Sequence, residues 1–402
     1  MKTLDKVRGC LVGGAAGDAL GYAVEFLDND SIIETYGKDG ITEYDLTGGI
    51  ARISDDTQMS LFTANGLLYG TTQGLTSSVM KSYTSYIADA YKDWLKTQDE
   101  MFPLMDGSYS SWICNIPQMY SRRSPGATCI DTLSDGRDGS VLMPVNQSKG
   151  CDGIMRVAPI GAYFCDKHYT RDQIDMFGAE AAAITQGHPL GYIPAAALVH
   201  IVNMLIYEKN ISILEAVLDA KSAIKRIFKE SQHIALMNTL IDKAIALSKE
   251  KIDDRQAIAQ LGMGWVAEET LAIAVYCSLK YHDDFDKALI AAVNHDGDSD
   301  STGALTGNIL GAYLGMNSIP DKYLDKLELK NVIIEMADDL FYDCSHEDGL
   351  AFKSEIWIQK YINADYLPQR RISRPLKTSK SKRIPKTVKK IFHNPLLCGI
   401  IC

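Results

Sequence analysis

Between Pro194 and Pro320 the chain has no proline. Proline removes a backbone donor and breaks helix interiors, so its absence over so long a stretch leaves the backbone free to be helical. Apolar residues recur there at three- and four-residue steps, as at Ile213, Ala216, Val217 and Ala220, which is the period of one helix face. The pattern predicts helices over residues 193–207, 211–229, 234–249, 265–281, 285–293 and 302–314. Two-residue alternation, the mark of a strand, is confined to residues 41–46. The chain therefore reads as all-α.

Two glycine ladders carry a second constraint. Gly9, Gly13, Gly17 and Gly21 stand four apart, as do Gly303, Gly307, Gly311 and Gly315. A glycine inside a helix costs roughly 1 kcal/mol relative to alanine. A stripe of them is expected where another helix backbone must come close. Chemistry is then expected at the ends of those helices. Residues 104–153 differ in texture, with turn-forming runs such as Ser134-Asp-Gly-Arg-Asp-Gly139. A turn-rich excursion of this length inside a helical protein is expected to line or cover a site.

With 402 residues, 46% apolar and 23% charged, the chain has material for a sizeable core. It falls outside the disordered, collagen-like and small disulfide-scaffold classes. Residues 366–402 hold ten Lys/Arg and no Asp or Glu, which leaves 31 basic against 51 acidic residues in the body. An acidic body is a poor phosphate-backbone binder, so no sequence-specific nucleic acid is expected as a partner. The organisation expected is a catalytic domain over 1–365 and a basic, flexible tail over 366–402. The bland reading of the tail is a solvated extension. The sharper one is a weak membrane-surface contact, with Cys398 or Cys402 able to carry an acyl chain. Nine cysteines without a CxxC pair, and an N-terminus without an apolar stretch, point to reduced thiols and a cytoplasmic setting. No apolar run of about 18 residues stands out, so no membrane-spanning helix is expected.

Four segments could carry chemistry. Ser54-Asp55-Asp56-Thr57 opens a helical pattern, where a hydroxyl and two acids have an ordinary use as caps. Asp296, Asp298 and Asp300 alternate within Asn294–Gly303 and exceed what one cap needs. The opening resembles an EF-hand but fails it, because position six is Ser301 and position twelve is Gly307. A cation held by oxygens from both segments fits better, and two such segments suggest a pair of Mg²⁺ or Mn²⁺ ions. Closely spaced Cys and His are missing, which makes zinc the weaker candidate. Glu25 ends an apolar, glycine-rich run, and the spacing leaves open whether it is solvated or held in a cleft. Gly150 and Gly153, in Ser148–Pro159, free the backbone to present N–H groups to an anion, although the run is not a Walker A loop.

Together these segments resemble the ADP-ribosylglycohydrolase family, from about Val7 to about Met316. The resemblance rests on Gly14-Ala-Ala-Gly-Asp-Ala-Leu-Gly21 with Glu25, Ser54-Asp-Asp-Thr57, Lys149-Gly-Cys-Asp-Gly-Ile-Met-Arg156, Gly187-His-Pro189 and Gly297-Asp-Ser-Asp-Ser-Thr-Gly303, in the family's order. It implies a compact, orthogonal all-α domain with two Mg²⁺, or Mn²⁺, between the acidic segments. By position the ligands would be Ser54, Asp55, Asp56, Asp298, Asp300 and Ser301. Glu25 matches the catalytic glutamate. Gly150, Cys151, Asp152, Gly153 and Met155 match the segment that holds the diphosphate and ribose, with His188 nearby. Two positions depart from the pattern. Asp152 stands where relatives commonly have a small residue, and Gln186 where many have His.

The activity implied is removal of ADP-ribose from a modified protein side chain, arginine first, by cleavage at ribose C1″, with an ADP-ribosylated protein as partner. The alternatives are a hydrolase of serine-linked or other ADP-ribose adducts, and a non-catalytic ADP-ribose-binding or toxin-neutralising protein.

Overall fold

The computed structural model describes residues 2–76, 81–105, 107–165, 168–343 and 354–368. Among these residues the chain is all-α, with isolated bridges such as Thr47 to Ile50 in place of strands. The expected helices form at Pro189–Tyr207, Ile213–Ile227, Ile234–Leu247, Ala267–Lys280, Phe285–Val293 and Ser299–Leu314. The first of them begins earlier than the pattern predicts. Pro189 occupies the opening turn, where its missing N–H costs nothing, and His188 caps it. The short Asp254–Ile258 helix was not foreseen.

Residues 41–46 do not form the expected strand. Ile41 spends both backbone groups on the Asn294 side chain, donating its N–H at 2.8 Å and accepting from Asn294 Nδ2 at 2.9 Å. Tyr44 is tied by its hydroxyl to the carbonyl of Tyr323 at 3.0 Å. One long apolar run does stand out. Pro189–Tyr207 is long and apolar enough to cross a bilayer by length and composition, with a mean hydropathy of 1.6. Of its most apolar 18-residue window, 94% is buried within the protein.

The two glycine ladders pack on each other. A Cβ on Gly9 would overlap the carbonyl oxygen of Gly311, one on Gly13 that of Gly307, and one on Gly17 that of Gly303. The order of these pairs makes the Leu4–Gly21 and Ser299–Leu314 helices antiparallel, with backbone against backbone. Asn308 fills the remaining gap, donating to the Cys10 carbonyl at 2.8 Å beside Gly14. This contact sets the end of one helix beside the start of the other.

Of the expected tail, residues 369–402, including Cys398 and Cys402, lie outside the described residues. Tyr366 is described and is buried. Its ring stands edge-on to Trp112 at 5.1 Å, and its hydroxyl bonds Glu335 at 2.6 Å.

Gly307→Ala separates propensity from packing. On propensity alone it would stabilise the helix by up to about 1 kcal/mol. The overlap with the Gly13 carbonyl predicts a loss of about 1–3 kcal/mol instead. Urea unfolding reads the sign, and a higher midpoint would remove the close backbone contact from the account.

Candidate active site

The antiparallel pair delivers acids from both of its ends. Asp18 lies in the last turn of the Leu4–Gly21 helix, and Glu25 follows in the turn beyond. Asp298 caps the Ser299–Leu314 helix, and Asp300 sits in its first turn. Oxygens of Glu25, Asp298 and Asp300 lie within 4.8 Å of one another. The Asp55–Thr76 helix starts at the same place, so that Asp55 and Asp56 line the same cleft of about 320 Å³. Ser124, Pro125, Gly126, Cys151, Asp152 and Met155 form its other wall. The turn-rich excursion over 104–153 therefore does line the cleft.

Hydrogen bonds fix this convergence. Asp18 accepts from the Ser54 N–H at 2.9 Å, from the Thr57 N–H at 3.1 Å and from the Thr57 hydroxyl, so a residue of the first helix caps the Asp55–Thr76 helix. Arg123 and Glu328 form a buried bidentate pair at 3.1–3.2 Å. Glu328 accepts from the Ile53 N–H, Arg123 Nη1 donates to the Ile53 carbonyl, and the Arg123 carbonyl accepts from the Asp55 N–H. The approach to Ser54 is thereby clamped on both sides. Gly297 has φ 129°, and a Cβ there would overlap the Met263 carbonyl, so the bend before Asp298 requires glycine.

The charges in this cleft are uncompensated. Burial, then the charge of Asp300, pushes the Glu25 carboxyl up to about 9. Burial and Asp300 push Asp18 up to about 7, against the pull of its hydrogen bonds. Asp55, Asp56 and Asp298 are pushed well up, first by burial and then by neighbouring carboxylates. Glu25 Oε2 and Asp56 Oδ2 are buried with no hydrogen-bond partner. Hard oxygen donors that repel one another and keep orphaned lone pairs fit a bound divalent cation. The cluster could hold a metal ion.

The sequence-predicted residues divide into three sets. Glu25, Asp55, Asp56, Cys151, Asp152, Met155, Asp298, Asp300 and Ser301 all line the cleft. Ser54 is buried beside it, its hydroxyl accepting from the Asp56 N–H at 3.2 Å. Gly150 and Gly153 shape the loop from behind, Gly150 against Asp152 and Gly153 against Ala182 and Gln186. His188 is not among the lining residues. Its Nδ1 accepts from the Leu190 N–H at 3.1 Å, and its ring packs on His233 with centroids 4.6 Å apart. Asp296 is taken by Asn29, whose N–H and side-chain amide bond it at 2.6 and 2.8 Å.

Several residues escaped the sequence reading. Asp18 stood in a quoted motif without a role. Phe26 and Trp265 line the cleft as a stacked pair, 5.9 Å between centroids, with Phe26 72% exposed. A large exposed aromatic beside a candidate acid was the available signal for Phe26. Cys151 donates to Asp298 Oδ2 at 2.6 Å, a contact between remote segments that spacing does not reveal.

A family model described as ADP-ribosylglycohydrolase matches residues 1–349. The chain is 25% identical to the ADP-ribosyl-[dinitrogen reductase] glycohydrolase of Rhodospirillum rubrum, over 81% of this chain and 91% of that protein. It is 25% identical to the ADP-ribosylarginine hydrolase Tri1 of Serratia proteamaculans, over 86% of this chain and 82% of that protein. A solved structure titled ADP-ribosylglycohydrolase-related protein complex superposes with a TM-score of 0.56 at 20% identity, covering 85% of this chain and 99% of that one.

An acid whose pKa in the fold lies above its unfolded value stabilises the fold while protonated and loses that contribution as pH rises. For Glu25 the window runs from 4.5 to about 9, and for Asp18 from 3.8 to about 7. EDTA-treated protein should therefore melt several degrees lower at pH 8.5 than at pH 6, and saturating Mg²⁺ should remove most of that drop. A melting temperature that climbs with pH in EDTA would show that the acids are not crowded as described.

Proposed function

The chain belongs to the ADP-ribosylglycohydrolase family, and from that premise we propose that it hydrolyses the bond between ribose C1″ and a modified protein side chain, arginine first. The observation that carries this reading is the meeting of Glu25, Asp298 and Asp300 in one cleft whose floor adds Asp55 and Asp56. The arginine linkage is favoured by the likeness to a hydrolase named for ADP-ribosylarginine. The family's fold and its ADP-ribosyl hydrolase chemistry supply the rest of the context.

Ser54, Asp55, Asp56, Asp298, Asp300 and Ser301 are the residues we assign to a pair of Mg²⁺ ions, with Mn²⁺ as a substitute. Such ions, when bound, would neutralise the acids and grip the vicinal ribose hydroxyls. Glu25 is assigned to the water. In hydrolysis the C1″–N bond breaks, the water oxygen bonds C1″, and the departing guanidine takes up a proton. The reacting carbon passes through an oxocarbenium-like state, as in other glycosyl cleavages. With bound ions relieving the repulsion that raises its carboxyl, an ionised Glu25 would use its unpartnered Oε2 to accept the proton that the water gives up. Asp18 and the Arg123–Glu328 pair hold the walls in register, and Cys151 and Met155, which line the cleft, are assigned to the ribose–diphosphate portion. The half-exposed aromatic rim of Phe26 and Trp265 suits a large organic ligand better than a bare ion.

Purified protein with Mg²⁺ should release ADP-ribose from an ADP-ribosylated arginine peptide. Absence of release from this and from a serine-linked peptide would sink the reading. Glu25→Gln should keep its fold by circular dichroism and lose turnover by about 10²- to 10⁴-fold. Asp300→Ala should weaken Mg²⁺ binding at least tenfold in calorimetry. An unchanged affinity would take Asp300 out of the ligand set.

A further inference from the structure

Asp152 is the acid in the cleft that the cation-binding cluster does not use, and it is the best supported from behind. The residue lines the cleft and is half-buried there. The seat is shaped for it: a Cβ on Gly126 would overlap Asp152 Oδ1, and one on Gly150 would stand 3.0 Å from Oδ2. Gln186 Nε2 donates to Oδ2 at 2.8 Å. Gln186 Oε1 accepts from the Thr185 hydroxyl, and Thr185 Oγ1 accepts from Arg156 Nη2 at 2.8 Å. Arg156 is fully buried, with its guanidinium 4.0 Å over the Tyr91 ring, Nη1 on two sulfur atoms, Nη2 also on the Ala181 carbonyl, and Nε without a partner. Among the described residues no carboxylate lies within ion-pair distance of it. A buried cation thus reaches the cleft through two neutral side chains and ends on Asp152. The two departures noted in the sequence, Asp152 and Gln186, are bonded to each other.

Resting on the reading above, that the cleft takes an ADP-ribosylated side chain, we propose that Asp152 is a specificity-determining residue that pairs with the guanidinium of an arginine-linked substrate. Of the parts of such a substrate, the adenine and riboses are neutral and the diphosphate is anionic. Only the guanidinium is positive. Burial raises the Asp152 carboxyl while the charge of Arg156 pulls it back; in its ionised form it disfavours the diphosphate and offers its oxygens to a planar, bidentate donor. A serine-linked conjugate presents no such group. Arg156, Thr185 and Gln186 act as positioning residues for this carboxylate.

The test uses the full chain loaded with Mg²⁺ and two peptides, one ADP-ribosylated on arginine and one on serine. Asp152→Asn should lower the arginine-over-serine ratio of kcat/KM by about 10- to 100-fold, mostly through KM for the arginine peptide. Asp152→Glu should recover part of that loss. Thr185→Val, which cuts the chain but leaves the carboxylate, should move the ratio the same way by less. Parallel losses on both peptides, or an unchanged or raised ratio, overturn the proposal and mark Asp152 as a loop-holding residue. Calorimetry with agmatine forms an independent arm, in which wild type should bind it about tenfold or more tightly than Asp152→Asn. Equal affinities, or none in wild type, also overturn it. Wild type that cleaves neither peptide strikes the preceding subsection, while the agmatine arm still decides the role of Asp152.

Discussion

Backbone-to-backbone contact between the Leu4–Gly21 and Ser299–Leu314 helices is the constraint from which the rest follows. Side chains on either face would hold the axes apart, at the spacing usual for helix pairs. With bare Cα atoms at Gly9, Gly13 and Gly17 facing Gly311, Gly307 and Gly303, the helices close until carbonyls meet Cα atoms. The antiparallel sense then does the chemical work. It places the end that carries Asp18 and Glu25 against the end that carries Asp298 and Asp300. The loss of helix propensity along the ladders is offset by a contact that no larger residue would permit.

The cleft is built from charges that disfavour the fold unless something answers them. Three devices do so in different degrees. Hydrogen bonds answer Asp18, which accepts from Ser54 and Thr57. A paired opposite charge answers Glu328, through Arg123. For Glu25 Oε2 and Asp56 Oδ2 neither is provided, and the acids around them could hold a metal ion.

Much of this was legible in the sequence, and the parts that were not share a cause. Helices after Pro194 could be read because periodicity and proline absence are local signals, as the match at Phe285–Val293 illustrates. The acids could be read because two short motifs concentrate them. What stayed hidden needs two remote segments at once. Residues 41–46 alternate like a strand, but their backbone is claimed by Asn294. His188 belongs to a family motif, but its ring caps a helix start and packs on His233. Asp152 looked like a misplaced charge until Gln186 was found bonded to it. Each ladder of glycines promised a close neighbour, yet neither named the other.

The Gly17–Gly303 contact joins residues near opposite ends of the domain. During synthesis the first helix leaves the ribosome long before its counterpart exists, with a bare glycine face and no surface of comparable fit to cover it. The acids at its end wait equally long for the carboxylates that complete their cluster. Such topology puts a late, entropically costly ring closure at the heart of assembly. Any release of the nascent chain before residue 299 leaves an exposed helix that lacks its packing partner, a form that quality-control proteases and chaperones are suited to recognise.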